Sequence, residues 1–123
     1  MNRFITVNNK DYEITFTNKA KEILEDLEGK SVFDIALDMV VGRAVSTKIK
    51  TITNMLYAGF KSNSETKHLT RDEVLDLLPT KSKEQIIILS KLVEILLEDT
   101  GIKEQFEAIT NKKDGEAEPE KKD

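Results

Sequence analysis

The strongest constraint on the fold is a change in hydrophobic period early in the chain. Tyr12, Ile14 and Phe16 alternate with polar residues, which is the two-residue period of a half-buried strand. Asn8 and Asn9 precede this segment, and Asn tolerates the left-handed conformation that a tight hairpin requires. Further along, apolar residues recur every three or four positions, which is the period of an amphipathic helix. The chain is therefore predicted to begin with a β-hairpin and to continue as helices.

Capping signals divide the helical part into a bundle of about five helices. The predicted starts are Asn18, Ser31, Ser46, Thr70 and Ser82, and the predicted ends are Gly29, Pro79 and Gly101. Each segment carries an apolar face that we expect to point inward. These faces contain Ala20, Ile23, Leu24 and Leu27; Phe33, Ala36, Leu37, Val40 and Ala44; Ile49, Ile52, Leu56 and Phe60; Val74, Leu77 and Leu78; and Ile86, Leu89, Leu92, Val93 and Leu96. Ile102, Phe106 and Ile109 suggest a last short helix.

The composition changes after Thr110. Residues 111–123 contain four Lys, five acidic residues and only one apolar side chain, Ala117. Such a segment buries too little surface to offset the entropy lost on ordering, so we predict a disordered tail. Residues 1–110 are predicted to form a single hairpin-plus-helical domain, since 123 residues hardly allow two.

Charge and composition argue against several functional classes. The chain has 19 Lys and Arg against 23 Asp and Glu, a net charge of −4, whereas a protein held by phosphate contacts needs a basic excess. The net charge therefore argues against nucleic-acid binding. The sequence has no cysteine, which excludes disulfides, thiolate catalysis and Cys-based zinc sites. His68, the single histidine, lies in a polar segment and is predicted to be an ordinary surface residue. We expect no catalytic residues, no metal and no cofactor.

The sequence also lacks signals for membranes or export. Its most apolar stretch, 86–97, is too short to span a bilayer and is interrupted by Ser90, Lys91 and Glu94. Residues 1–10 contain no apolar run of signal-peptide length. A cytoplasmic protein is the expectation.

Two helices carry more apolar surface than a single face needs. Val32, Ile35 and Met39 form a stripe separate from the predicted inward face of the second helix, and Ile88 and Ile95 do the same on the longest helix. One interpretation is that both helices are central and buried on two sides. The other is that these five residues form a protein-interaction face.

The order of four segments resembles the tail assembly chaperones of long-tailed bacteriophages and related gene transfer agents. The segments are YEITFT at 12–17, LEDLEG at 24–29, NMLYAGF at 54–60 and LTRDEVLDLL at 69–78. The similarity extends over roughly residues 4–98, and it rests on the order of the segments, the hairpin start, the small size and the charged tail.

The resemblance implies a function in virus assembly. Such a protein is not an enzyme; it coats the tape measure protein, keeps that long hydrophobic helical chain soluble, and helps recruit tail-tube subunits in the host cytoplasm. It is released and is not part of the mature virion. Self-association into a homo-oligomer is also implied. The family has no short signature of functional residues, so the resemblance assigns no site.

Two other classes remain open. A small DNA-binding or antirepressor-type regulator would use 46–60 as a recognition helix, for which Lys48, Lys50 and Lys61 supply a thin basic face. A small helical enzyme would need polar groups clustered in a cleft, and the sequence shows no such pattern.

Overall fold

A computed structural model gives the structure of residues 2–40, 47–102 and 104–105. Within these ranges an antiparallel hairpin precedes five helices, which confirms the predicted fold class. The elements are β1 (Phe4–Val7), β2 (Lys10–Glu13), α1 (Asn18–Glu28), α2 (Val32–Val40), α3 (Ile49–Phe60), α4 (Arg71–Leu77) and α5 (Ser82–Thr100). The predictions for Ala44, Ser46, Phe106, Ile109, the boundary at Thr110 and the tail 111–123 fall outside the described residues.

The hairpin turns through two asparagines, as predicted. Asn8 and Asn9 have φ values of 53° and 65°, which is the left-handed pair that a type I′ turn requires. The turn fixes the register, so that Ile5 lies opposite Tyr12. Ile5 and Val7 are buried on the face that covers the helices. A two-stranded hairpin is marginal alone, and this packing is what stabilises it.

The ends of α1 follow from local chemistry, with one shift from the prediction. The Thr17 hydroxyl accepts a hydrogen bond from Ala20 N (3.2 Å), so Thr17 caps the helix and the predicted cap, Asn18, is its first residue. Gly29 ends α1 with φ 75°, a left-handed conformation that glycine adopts without strain, as predicted. Before α2, the Ser31 hydroxyl accepts from the backbone N–H of Asp34 (3.1 Å), as its capping pattern predicted.

Two similar capping patterns have different outcomes. Thr70 and Glu73 form a complete capping box at the start of α4, as predicted. Ser82 was predicted to act alike, but it is already the first residue of α5, and the preceding Lys81 makes no side-chain cap. Gln85, the fourth residue of that pattern, instead donates through Nε2 to the carbonyl of Pro79 (2.8 Å). Gly101 ends α5 with φ 69°, as predicted.

The core surrounds α3. Eight of its twelve residues are buried, because α1, α4 and α5 all pack against it. Ile52, Leu56 and Phe60 point inward as predicted, whereas Ile49 is exposed because it is the first residue of the helix and lies beyond its packed part. Gly59 lets the segment that follows β2 approach α3, since a Cβ atom built there would lie 2.7 Å from Cγ2 of Ile14.

An ion pair ties the hairpin to the end of α5. Arg3 donates to both carboxylate oxygens of Asp99, with Nη1 at 3.0 Å from Oδ2, and Phe16 N donates to the same oxygen at 2.7 Å. The hydrogen bond to Asp99 raises the pKa of the Arg3 guanidinium, against the opposing effect of desolvation. Asp99 thus fixes both the start of β1 and the chain after β2.

Candidate interaction surface

The five residues predicted to form an interaction face belong to the protein's own core. Val32, Ile35, Ile88 and Ile95 are buried, and Met39 is half-buried against them. In the described structure these five residues are therefore part of the core and not a free interaction face. On α5 the neighbouring leucines are buried as well, so burial on two sides holds for that helix, whereas α2 buries only one of its two apolar sides. The physical reason is that α2 and α5 pack against each other.

The inward face predicted for α2 is largely the exposed one. Phe33 and Leu37 have 50% and 40% of their surface exposed, and Val40, three residues further, is half-buried. Among the members of that predicted face that the structure describes, Ala36 alone is fully buried. Phe33, Leu37 and Val40 recur at i, i+4 and i+7, so they form one line along the helix, which we call the α2 stripe.

A line of exposed apolar side chains at helical spacing has a specific chemical use. It carries no polar group able to orient a small molecule or to move a proton. It does match the apolar face of another helix, which lies against such a line through residues of the same spacing. The α2 stripe is therefore a candidate surface for binding a helical protein segment.

A buried polar network joins three helices on another side of the molecule. Asn54, fully buried on α3, donates through Nδ2 to Oε2 of Glu28 (2.7 Å) and accepts at Oδ1 from Nε of Arg71 (2.6 Å). Thr51 donates to the other carboxylate oxygen of Glu28 (3.1 Å), and Arg71 also reaches the carbonyl of Lys50 (3.4 Å). Each side chain in this chain of contacts has at least one partner, so the arrangement is typical of a structural network rather than of a reactive site.

This network was not predicted from the sequence, although one signal for it is present. Asn54 lies within a run of buried residues from Ile52 to Leu56, and a buried amide requires partners. Its partners are Glu28 and Arg71. These three residues lie in three of the four segments on which the resemblance to tail assembly chaperones rests, so those segments meet in space and their shared contacts hold α1, α3 and α4 together.

The helix that a DNA-binding protein would have to present is not free. Residues 52–56 and 58–60 of α3 are buried, so this helix does not offer a face to the major groove. Lys48 and Lys50 are exposed at its start, and the Lys61 ammonium lies 4.8 Å from the centre of the Tyr57 ring.

One surface depression, of about 560 Å³, is lined mainly by acidic and hydroxyl side chains between β2 and the loop 61–68. Two of its carboxylates are already engaged: Asp11 with the Thr6 hydroxyl (2.6 Å) and Glu65 with the Lys10 ammonium (3.5 Å). Across the described part of the chain, no group of three or more His, Cys, Asp or Glu side chains is placed to hold a metal ion. His68 is exposed, as predicted.

None of the helices in the ranges given above combines the length and the apolar character needed to cross a bilayer.

Comparison with known protein families, with curated proteins and with solved structures found no match to this chain.

Proposed function

We propose that this protein is a tail assembly chaperone of a long-tailed bacteriophage or prophage. In this proposal it acts in the host cytoplasm, binds the tape measure protein, keeps that long helical chain soluble, and helps to recruit tail-tube subunits. It performs no chemical step and leaves before the virion is complete.

The observation that carries the proposal is the α2 stripe. Phe33 and Leu37 are about half exposed although α2 already buries Val32, Ile35 and Ala36 in the core. Apolar residues left over after the core is complete are typical of a surface that meets another protein. A tape measure protein is a long chain with apolar helical faces, which is the kind of segment that the spacing of the stripe accommodates.

A second observation supports the same class of protein. The segments that resemble the chaperone family contribute Glu28, Asn54 and Arg71 to one buried network. The resemblance therefore rests on segments that meet in space around one network and not on scattered pieces of the chain.

The test is whether the α2 stripe binds and solubilises the tape measure protein of the same phage. The chain is co-expressed with that protein, and the soluble fraction and the co-purified complex are measured. Phe33→Ser with Leu37→Ser is expected to lower the affinity at least about tenfold, since central apolar anchors dominate such interfaces. Both side chains are exposed, so circular dichroism should show an unchanged fold.

Leu75→Ser provides the matched control. Leu75 lies on α4 with 39% of its surface exposed, against 40% for Leu37, so the two substitutions remove the same side chain at the same exposure. The control variant should bind like the wild type. A folded wild-type chain that neither binds the tape measure protein nor raises its solubility would refute the proposed function. Equal losses in the stripe and control variants would refute the assignment of the surface.

A further inference from the structure

The outer edge of β1 is open. The register pairs Val7 with Lys10 beside the two-residue turn. The backbone N–H and C=O groups of Val7, and of every second residue before it, therefore point toward β2. The backbone groups of Phe4 and Thr6 therefore point to the other side, where no further strand lies among the described residues. Asn2 Oδ1 accepts from the N–H of Phe4 (2.9 Å). The N–H and C=O of Thr6 have no described partner and are free to pair with another strand.

A groove runs along this edge between β1 and α5. It consists of two depressions of about 390 Å³ and 250 Å³, which share Thr6, Ile87 and Ile88. We call it the β1 edge groove and define it by Phe4, Thr6, Glu84, Ile87, Ile88 and Lys91. Ile87 lies at the centre of the groove, where the two depressions meet. It has 61% of its surface exposed, more than any other large apolar side chain in the described ranges.

The groove carries charges of opposite sign at its two ends, at equal distances along α5 from its centre. Glu84 lines the depression at the turn end of β1, and Lys91 lines the depression at its start. Along α5 these residues follow the spacing i and i+7, with Ile87 and Ile88 midway between them. Lys91 also contacts Glu94 (3.2 Å), whereas the Glu84 carboxylate has no described partner. A negative end, an apolar centre and a positive end make a surface that complements its own copy in antiparallel orientation.

We propose that a second copy of this chain binds in the β1 edge groove, related by a twofold axis beside Thr6. The Thr6 N–H donates to the C=O of the partner's Thr6, and the reverse bond forms by symmetry. The two hairpins join into one four-stranded antiparallel sheet. Beneath it, Ile87 packs on Ile87 of the partner subunit, and Glu84 faces the partner's Lys91 at each end of the interface.

The occupant is a second copy because the backbone edge, the charged ends and the apolar centre of the groove each complement the same feature of another copy. Any extended peptide supplies backbone groups to an open strand edge. A second copy also supplies a lysine opposite Glu84, a glutamate opposite Lys91 and an isoleucine opposite Ile87. A twofold interface uses one patch on both subunits, so the patch must be self-complementary, as this one is. Pairing the edge also removes the aggregation hazard of an exposed strand.

This inference does not depend on the proposed function. The α2 stripe contributes no residue to the β1 edge groove, so each surface is tested by its own variants.

The first test measures the mass of the full chain by sedimentation between about 1 and 100 µM. The wild type should sediment at twice the chain mass at the upper end of this range. Ile87→Lys should raise the dissociation constant at least about tenfold, because it places two ammonium groups in the apolar centre. Ile86→Lys is the matched control: Ile86 is the neighbouring residue, 46% exposed, and lines neither depression. A monomeric wild type, or equal effects of both substitutions, overturns the proposal.

The second test uses charge reversal. Glu84→Lys alone places two lysine pairs in the homodimer, and Lys91→Glu alone places two glutamate pairs there, so each variant should dimerise about tenfold more weakly than the wild type. An equimolar mixture of the two variants restores an opposite charge at both contacts and should form a heterodimer. A mixture that dimerises no better than either variant overturns the antiparallel arrangement.

The third test traps the twofold axis. The chain has no cysteine, so Thr6→Cys introduces a single thiol. Directly opposed residues in an antiparallel pair have Cα atoms about 5.5 Å apart, which a disulfide spans. Thr6→Cys should therefore form a cross-linked dimer under mild oxidation, much faster than Ser64→Cys, which places a thiol in the exposed loop. Equal rates for the two variants overturn the pairing at Thr6.

Discussion

Gly59 offers a quantitative test of the packing between α3 and the hairpin. Alanine is preferred over glycine in a helix by about 1 kcal/mol, so Gly59→Ala would stabilise an exposed helix. Here the added Cβ would lie 2.7 Å from Cγ2 of Ile14 and 3.6 Å from Cζ of Phe16. Relieving the first contact requires a shift of about 0.7 Å or more in a fully buried side chain.

The steric effect is expected to win over the helix preference. Overpacking of a core typically costs 1–3 kcal/mol, so about 2–3 kcal/mol against a gain of about 1 leaves Gly59→Ala less stable by about 1–2 kcal/mol. For a domain of this size the melting temperature should fall by roughly 4–15 °C. The free energy of unfolding is measured by urea titration followed by circular dichroism.

A double-mutant cycle isolates the cause. In an Ile14→Ala background, itself less stable by about 2–5 kcal/mol, the clashing methyl group is absent. Gly59→Ala should then become stabilising by up to about 1 kcal/mol, a reversal of sign. Gly101→Ala is the control: it costs about 1 kcal/mol through its left-handed φ of 69°, has no atom within 4 Å of the new Cβ, and should show no coupling to Ile14. A stabilising Gly59→Ala in the otherwise wild-type chain, or an effect unchanged by Ile14→Ala, would refute this reasoning.

Four further substitutions test local interactions described above, each by urea unfolding. Asn54→Ala removes two hydrogen bonds to charged partners and should cost about 2–3 kcal/mol; a loss below about 0.5 kcal/mol would contradict the network. Thr70→Ala should cost about 1 kcal/mol through its capping box, whereas Ser82→Ala should change stability by less than about 0.5 kcal/mol, and equal effects would contradict the different starts of α4 and α5. Asp99→Ala removes the carboxylate that accepts from Arg3 and leaves the backbone N–H of Phe16 without its acceptor, so it should cost about 2–3 kcal/mol; an unchanged midpoint would show that Asp99 does not fasten the hairpin.

The parts of the fold that sequence reasoning predicted correctly are those decided locally. The hairpin turn depends on two asparagines, and the end of α1 depends on the left-handed preference of Gly29, so neighbouring residues contain the whole cause. The start of α4 is equally local, because Thr70 and Glu73 satisfy each other.

The inward face of α2 could not be predicted in the same way. Both sides of this helix are apolar, with Phe33 on one and Ile35 on the other, so its hydrophobic period alone allows either to face the core. The choice depends on α5, which lies more than forty residues later and covers the side of Val32 and Ile35. The candidate surface was therefore assigned to the buried side of the helix. The network around Asn54 was missed for the same reason, since its partners come from two other helices.

The Arg3–Asp99 ion pair can form only after α5 has been made. It joins residues 96 positions apart, and ribosomes add about 5–20 residues per second, so about 5–20 s pass between the synthesis of its two ends. The hairpin itself forms in microseconds, yet its apolar face waits for α5, the last helix described, before it is covered. During translation the hairpin is therefore made well before the helix that covers it, and Ile5 and Val7 lack this cover until α5 has been made.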